Sequence, residues 1–210
     1  MTRIVAGVFG GRRLAAPPGQ QTRPTSDRVR EALFSTLESL YGGHLGKLRL
    51  ADLYAGSGAI GLEALSRGAA YAVLVESDPK AARIIRSNVG TLGVEGQCDV
   101  VVAKVSAAVA SPPPGGAYDV VFADPPYSVT DDELATVLEG LAVNGWLAED
   151  ATVVVERSRR SQEPPWVQPV TGERSRKYGE TTLWYGRAAR TGAAAGPDEQ
   201  GIHQAEGMAQ

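Results

Sequence analysis

Apolar positions in this chain fall into short runs separated by polar, glycine-rich breaks, and their spacing changes twice along its length. Arg3 to Val8 and Arg12 to Ala15 are β-prone pieces on either side of Gly10-Gly11, which predicts a small hairpin. After a Pro/Gly/Gln loop, Thr25, Ser26 and Asp27 offer N-caps to a helix reaching about Leu40, with Val29, Leu33, Leu37 and Leu40 as its apolar stripe. Gly42-Gly43 ends it. From Lys47 the two spacings alternate: strands near 48–53, 71–76, 99–103 and 118–123, helices over 59–67, 79–91, from Val105, and over 131–141. Such alternation predicts a parallel sheet with helices on both faces. After a strand over 152–156 the helical spacing stops. Segments 166–170, 175–178 and 181–185 are β-prone with no helix between them, which predicts an antiparallel hairpin at the sheet edge. Residues 188–210, rich in Ala, Gly, Gln and acids, are expected to be disordered.

At 210 residues the chain suits one substantial core. It has no run of about 18 apolar residues and no signal-peptide core at its start. A single cysteine, Cys98, excludes an internal disulfide and a thiolate metal cage; it sits in an apolar segment as a core thiol would. His44 and His203 fall in loop and tail, so no metal site is expected, and the compartment expected is the cytoplasm. The net charge of −3 argues against nucleic acid only until its distribution is considered. Residues 191–210 carry Asp198, Glu199 and Glu206 and no base, leaving 21 basic against 21 acidic residues elsewhere. Arg3, Arg12, Arg13, Arg23, Arg28 and Arg30 face one acid, Asp27, in the first thirty residues. Arg157, Arg159, Arg160, Arg174, Arg176 and Lys177 make a second cluster. Local basic patches attract phosphates whatever the net charge.

The chemistry-bearing residues sit where strands end. Asp124-Pro125-Pro126-Tyr127 closes the run Tyr118 to Ala123. Open α/β sheets keep their ligand crevice at this edge. The prolines stiffen the turn, leaving a carboxylate, the Pro125 carbonyl and an aromatic ring on a rigid lip. Two acceptors and a stacking face suit a planar amine. Upstream, Gly56, Gly58 and Gly61 follow another strand, with Glu76 about 20 residues beyond. That spacing also fits a nicotinamide dehydrogenase. Asp52 counts against it, since a carboxylate there would meet a dinucleotide pyrophosphate but would welcome a cationic methionine moiety. Hydride transfer also has no use for the Asp-Pro-Pro-Tyr lip. Glycine loop, sugar-binding acid and amine clamp together point to an S-adenosylmethionine-dependent amino-group methyltransferase.

The chain resembles the RsmD family, the 16S ribosomal RNA guanine-N2 methyltransferases, over roughly residues 3–187. The resemblance is carried by Arg3 to Gly7 with Gly10 to Leu14, by Arg23 to Phe34, by the cofactor loop and amine clamp, and by Lys177 to Thr181. It implies a class I methyltransferase (Rossmann-like) fold, a seven-stranded sheet whose last strand is antiparallel, preceded by the hairpin and helix of residues 1–45. The methyltransferase domain proper would span 46–187. It also implies a target, guanine 966 of 16S rRNA, within the 30S subunit or its precursor, and no protein partner beyond that particle. Many class I methyltransferases hold the adenine amine with an acid after the third strand; here that stretch is Ala103-Lys104-Val105-Ser106, so a backbone contact near Lys104 and Val105 is expected instead. Tyr54, Gly56, Ser57, Gly58 and Ser77 complete the cofactor candidates, with Asp52 toward the ammonium, Glu76 toward the ribose and Asp124 at the mouth. Asp124, Pro125, Pro126 and Tyr127 are the catalytic candidates. Arg3, Arg12, Arg13, Arg23, Thr25 and Arg28 are the RNA-binding candidates. Another planar amine (adenine N6 or a glutamine amide) and a non-catalytic RNA-binding role are the alternatives.

Overall fold

The computed structural model describes residues 2–17 and 27–189. Two short strands, β1 (Thr2–Arg3) and β2 (Arg13–Leu14), pair antiparallel ahead of α1 (Asp27–Leu40). Then follow β3 (Arg49–Leu53), α2 (Ala59–Ser66), β4 (Tyr71–Glu76), α3 (Pro79–Leu92), β5 (Cys98–Val102), α4 (Val105–Val109), β6 (Tyr118–Ala123) and α5 (Asp131–Val143). The chain closes with β7 (Leu147–Ser158), β8 (Val170–Tyr178) and β9 (Thr181–Ala188). Strands β3 to β9 form one sheet in the order β5-β4-β3-β6-β7-β9-β8. β3 to β7 run parallel, and β9 lies antiparallel between β7 and β8.

The period-2 alternation of the central strands sorts their side chains to two buried faces. Val121, Ala123, Val153 and Val155 meet Leu134, Leu138 and Leu141 of α5 and Val105 and Val109 of α4. Leu50, Val120, Phe122 and Val154 meet Val29, Leu33, Phe34 and Leu37 of α1 and Ile60 and Ala64 of α2. The helix of the N-terminal stretch thus packs directly on the sheet. Its neighbours are placed by local chemistry. Asp78 caps α3 by accepting from the Lys80 N–H, with Pro79 in the first turn and Gly93 at φ +71° ending it. Thr130 and Glu133 form a reciprocal capping box at α5.

Two of the differences from expectation have clear local causes. The N-terminal hairpin is far shorter than 3–8 and 12–15, because its backbone donors turn elsewhere. Val5 and Ala6 N–H groups donate to the Glu63 carboxylate of α2, and those of Val8 and Phe9 to the Ser66 carbonyl and hydroxyl. Segment 166–170 is a strand only at Val170: Pro164, Pro165 and Pro169 supply no ladder donors, and Trp166 lies against Gly186 instead. The expected N-caps Thr25 and Ser26 and nearly all of the tail lie outside the described residues. Among the described residues no helix is long and apolar enough to cross a membrane.

Candidate active site

The C-terminal ends of β3, β4 and β6 converge on one cavity of about 290 Å3. Adjacent parallel strands place Asp52, Glu76 and Asp124 at or just beyond these ends, and all three line it. Asp52 is buried, and one of its oxygens accepts the Gly61 N–H of α2 at 3.0 Å. Burial pushes its pKa up to about 8; the Gly61 hydrogen bond opposes this, and the negative charges of Asp124 and Glu76 add to it. Three carboxyl groups around one cavity, one of them driven toward its neutral form, describe a site that gains from a cation. Its residues therefore fit the sulfonium and ammonium of S-adenosylmethionine.

Glu76 holds the glycine loop. One oxygen accepts the Gly56 N–H at 2.8 Å and the other the Asp78 N–H at 2.8 Å. Gly56 and Tyr54 both lie at positive φ, +58° and +63°. For a tyrosine this is a strained backbone, of the kind found where a site over-determines the chain. The Tyr54 phenol also lines the cavity, its pKa pushed up to about 12 by burial and by Glu133. Ser57 and Ser77 complete the loop side.

Of the cofactor candidates, Asp52, Tyr54, Gly56, Ser57, Glu76, Ser77 and Asp124 are brought together in the cavity wall. Gly58 stands beneath it: a Cβ there would come within 2.9 Å of Leu74 Cδ2, and its φ is +78°, so helix–strand packing explains this glycine. Lys104 and Val105 are absent from the wall; Lys104 is exposed at the start of α4, and Val105 is buried in the core. Pro125 and Pro126 line the mouth, and Tyr127, 71% exposed, stands outside it.

The opposite wall comes from the N-terminal stretch, through Thr2, Ala16 and Arg30. Arg30 escapes sequence reasoning because it looks like one more surface arginine. Its side chain is 1% exposed, donates to the Arg3 carbonyl at 2.6 Å and to Asp27 at 2.8 Å, and lies 3.5 Å from Glu63. Burial lowers its pKa, against the raising effect of Glu63 and Asp27. Glu63, Ser66 and Asn88 are equally unforeseen; all are buried polar side chains that dock this stretch. A buried glutamate in an otherwise apolar helical run is the signal that could have revealed the first.

The basic candidates separate. Arg3 pairs with Asp27 at 2.8 Å. Arg12, Arg13 and Arg28 are exposed, and none enters an ion pair among the described residues. Arg23 and Thr25 lie outside the described residues. Arg174, Arg176 and Lys177 are exposed on edge strand β8, whereas Arg157 turns inward toward Asp131.

Residues 2–187 match the family described as Conserved hypothetical protein 95. Ribosomal RNA small subunit methyltransferase D of Escherichia coli is 39% identical over 154 residues, covering 73% of each chain. Bacillus subtilis YlbH is 33% identical over 180 residues, covering 85% of this chain and 95% of its own. The solved structure of yhhF from Escherichia coli superposes with a TM-score of 0.77 at 32% identity, covering 89% of this chain and 97% of that one. A match across nearly the whole described chain, together with the strand order and the cation-seeking cavity, places this protein in the RsmD family of S-adenosylmethionine-dependent methyltransferases.

Proposed function

We propose that the protein transfers a methyl group from S-adenosylmethionine to the exocyclic N2 of a guanine in small-subunit ribosomal RNA, the position corresponding to guanine 966 of 16S rRNA. The observation that carries this reading is the placement of Asp124 and Pro125 at the mouth of the cavity that Asp52 and Glu76 line.

When bound, S-adenosylmethionine supplies an activated methyl, so the chain's own task is mainly placement and charge. Asp52 faces the methionine ammonium, and Glu76, with both oxygens already fixed by loop N–H groups, takes the ribose hydroxyls on its remaining lone pairs. Guanine N2 is conjugated and weakly nucleophilic. Accepting its two N–H groups at the Asp124 carboxylate and Pro125 carbonyl aims its lone pair inward. As the new N–C bond forms and the methyl–sulfur bond breaks, leaving S-adenosylhomocysteine as the neutral thioether, positive charge grows on N2 and the Asp124 carboxylate stabilises it; N2 then releases one proton toward that carboxylate or water. The exposed Tyr127 ring stacks the extruded base, a contact worth ~1–3 kcal/mol that offsets part of the unstacking cost. Arg12, Arg13 and Arg28, with Arg3, Arg23 and Thr25 from the same stretch, supply the phosphate contacts that make residues 1–45 an RNA-recognition extension.

Incubation with labelled S-adenosylmethionine and small subunits from a strain lacking the modification, followed by digestion to nucleosides, tests this. Label in N2-methylguanosine is the expected result. Label in N6-methyladenosine, or in protein alone, would overturn it.

A further inference from the structure

On the outer side of the Pro125–Tyr127 lip lies a second cleft of about 60 Å3, lined by Pro125, Pro126, Tyr127, Arg157, Ser158 and Ser161. It shares both prolines with the larger cavity, so a group seated in it abuts the amine clamp. Arg157 comes two residues after Val155, the register partner of Ala123, and so stands level with Pro125 at the sheet edge. Its side chain is only 15% exposed, and Nη2 donates to Asp131 Oδ1 at 2.8 Å. Nη1 is buried and, among the described residues, has no hydrogen-bond partner. A guanidinium N–H removed from water without an acceptor is unfavourable, and here the fork is held by Asp131 beside an open cleft. Nη1 is closed off from water in this conformation, so the guanidinium must turn about its terminal torsions, with Asp131 as its anchor, to present that donor to a ligand in the cleft.

Charge decides which acceptor it takes. Asp131 already neutralises Arg157, and the other lining groups are two prolines, Val129, two serine hydroxyls and the Tyr127 ring. A phosphate would gain no unpaired cation here and would meet the Asp131 carboxylate. A neutral carbonyl on a flat ring suits the cleft better. We propose that Arg157 Nη1 donates to the keto oxygen of the target guanine, making Arg157 the residue that separates guanine from adenine while Asp124 and Pro125 hold the amine. Arginine pairs readily with the acceptor edge of guanine, whereas adenine presents an amine donor at the same ring position. Donor against donor rejects the wrong base. This inference rests on the methyl-transfer reading above and adds a discriminating contact to it.

2-Aminopurine tests the contact, because it keeps the 2-amino group and replaces the keto oxygen by hydrogen. Small subunits reconstituted with guanine or 2-aminopurine at the target position are offered to the wild-type protein, to Arg157→Met and to Arg157→Lys, each first checked by thermal melting. The wild type should favour guanine by ~10- to 100-fold in kcat/KM, the span of one hydrogen bond from a charged donor. In both variants guanine should fall to the 2-aminopurine level, with 2-aminopurine itself within about threefold of wild type, since nothing there depended on Nη1. Differences common to all three proteins, such as the altered ring protonation of 2-aminopurine, cancel in the ratio. A variant that keeps the wild-type preference overturns the proposal. So does equal loss on both bases, which marks a phosphate contact or a purely structural role. If the wild-type protein fails on the guanine particle itself, the target assignment falls and this contact falls with it.

Discussion

Replacing Glu63 by Gln isolates the contact that docks the N-terminal stretch on the methyltransferase sheet. The Glu63 carboxylate is fully buried and accepts the Val5 N–H at 2.6 Å, the Ala6 N–H at 2.9 Å and the Arg67 Nε–H at 2.9 Å, with Arg30 Nε 3.5 Å away. Glutamine has nearly the same shape but one acceptor oxygen, and its amide N–H groups would face donors. One stranded donor costs ~1–3 kcal/mol. Loss of the buried charge from its arginine partners brings the total to ~3–5 kcal/mol. Against a stability of ~5–15 kcal/mol the variant should still fold. The loss should concentrate in residues 4–9. About 2 kcal/mol of local destabilisation corresponds to roughly 30-fold faster hydrogen exchange at Val5 and Ala6. Val121, in the centre of β6, should change only as far as the urea midpoint does. Unchanged exchange at Val5 and Ala6 would refute the docking role, as would equal acceleration at Val121.

Four further variants carry expected outcomes. Asp124→Ala should lower kcat by at least ~100-fold while calorimetric affinity for S-adenosylmethionine stays within a few fold, because this carboxylate acts chiefly on the amine. Asp52 is raised in the fold, so its contribution to stability is present below pH 4 and lost as pH rises through about 8; Asp52→Asn should flatten urea midpoints over that window. Cation binding should also expel the Asp52 proton near neutral pH, read as a dependence of calorimetric heat on buffer ionisation enthalpy that the Asn variant lacks. Gly58→Ala should cost ~1–3 kcal/mol in thermal melts, from positive φ and the collision with Leu74. Arg12→Ala with Arg13→Ala should weaken RNA binding and flatten its logarithmic salt dependence by up to about two units.

The sequence is most legible where period and punctuation agree. Tyr71–Glu76 and Tyr118–Ala123 are found at the expected boundaries because each is a mostly apolar stretch of β-formers with an acid at its end, Glu76 within the first and Asp124 just after the second. β7 runs from Leu147 to Ser158, well beyond 152–156, since its ends are polar and the ladder across β6 and β9 extends it. The site divides the same way. Strand-end acids and the proline lip announce themselves, whereas Arg30, Glu63 and Asn88 are ordinary polar letters until folding brings their partners to them from 27, 57 and 73 residues away. Gly58 has a packing role that its place in the motif does not announce: the missing Cβ leaves room for Leu74.

Thr2, Ala16 and Arg30 give the cofactor cavity a wall made from the same stretch that carries Arg12 and Arg13. If RNA engages that stretch, the two ligands become thermodynamic neighbours without touching. Whatever one contributes to ordering it, the other need not contribute again. Linkage then requires the ratio of RNA affinities with and without S-adenosylmethionine to equal the ratio of S-adenosylmethionine affinities with and without RNA. Where that coupling is positive, release of the methylated particle weakens the hold on the spent cofactor, so the order of product release follows from the shared wall.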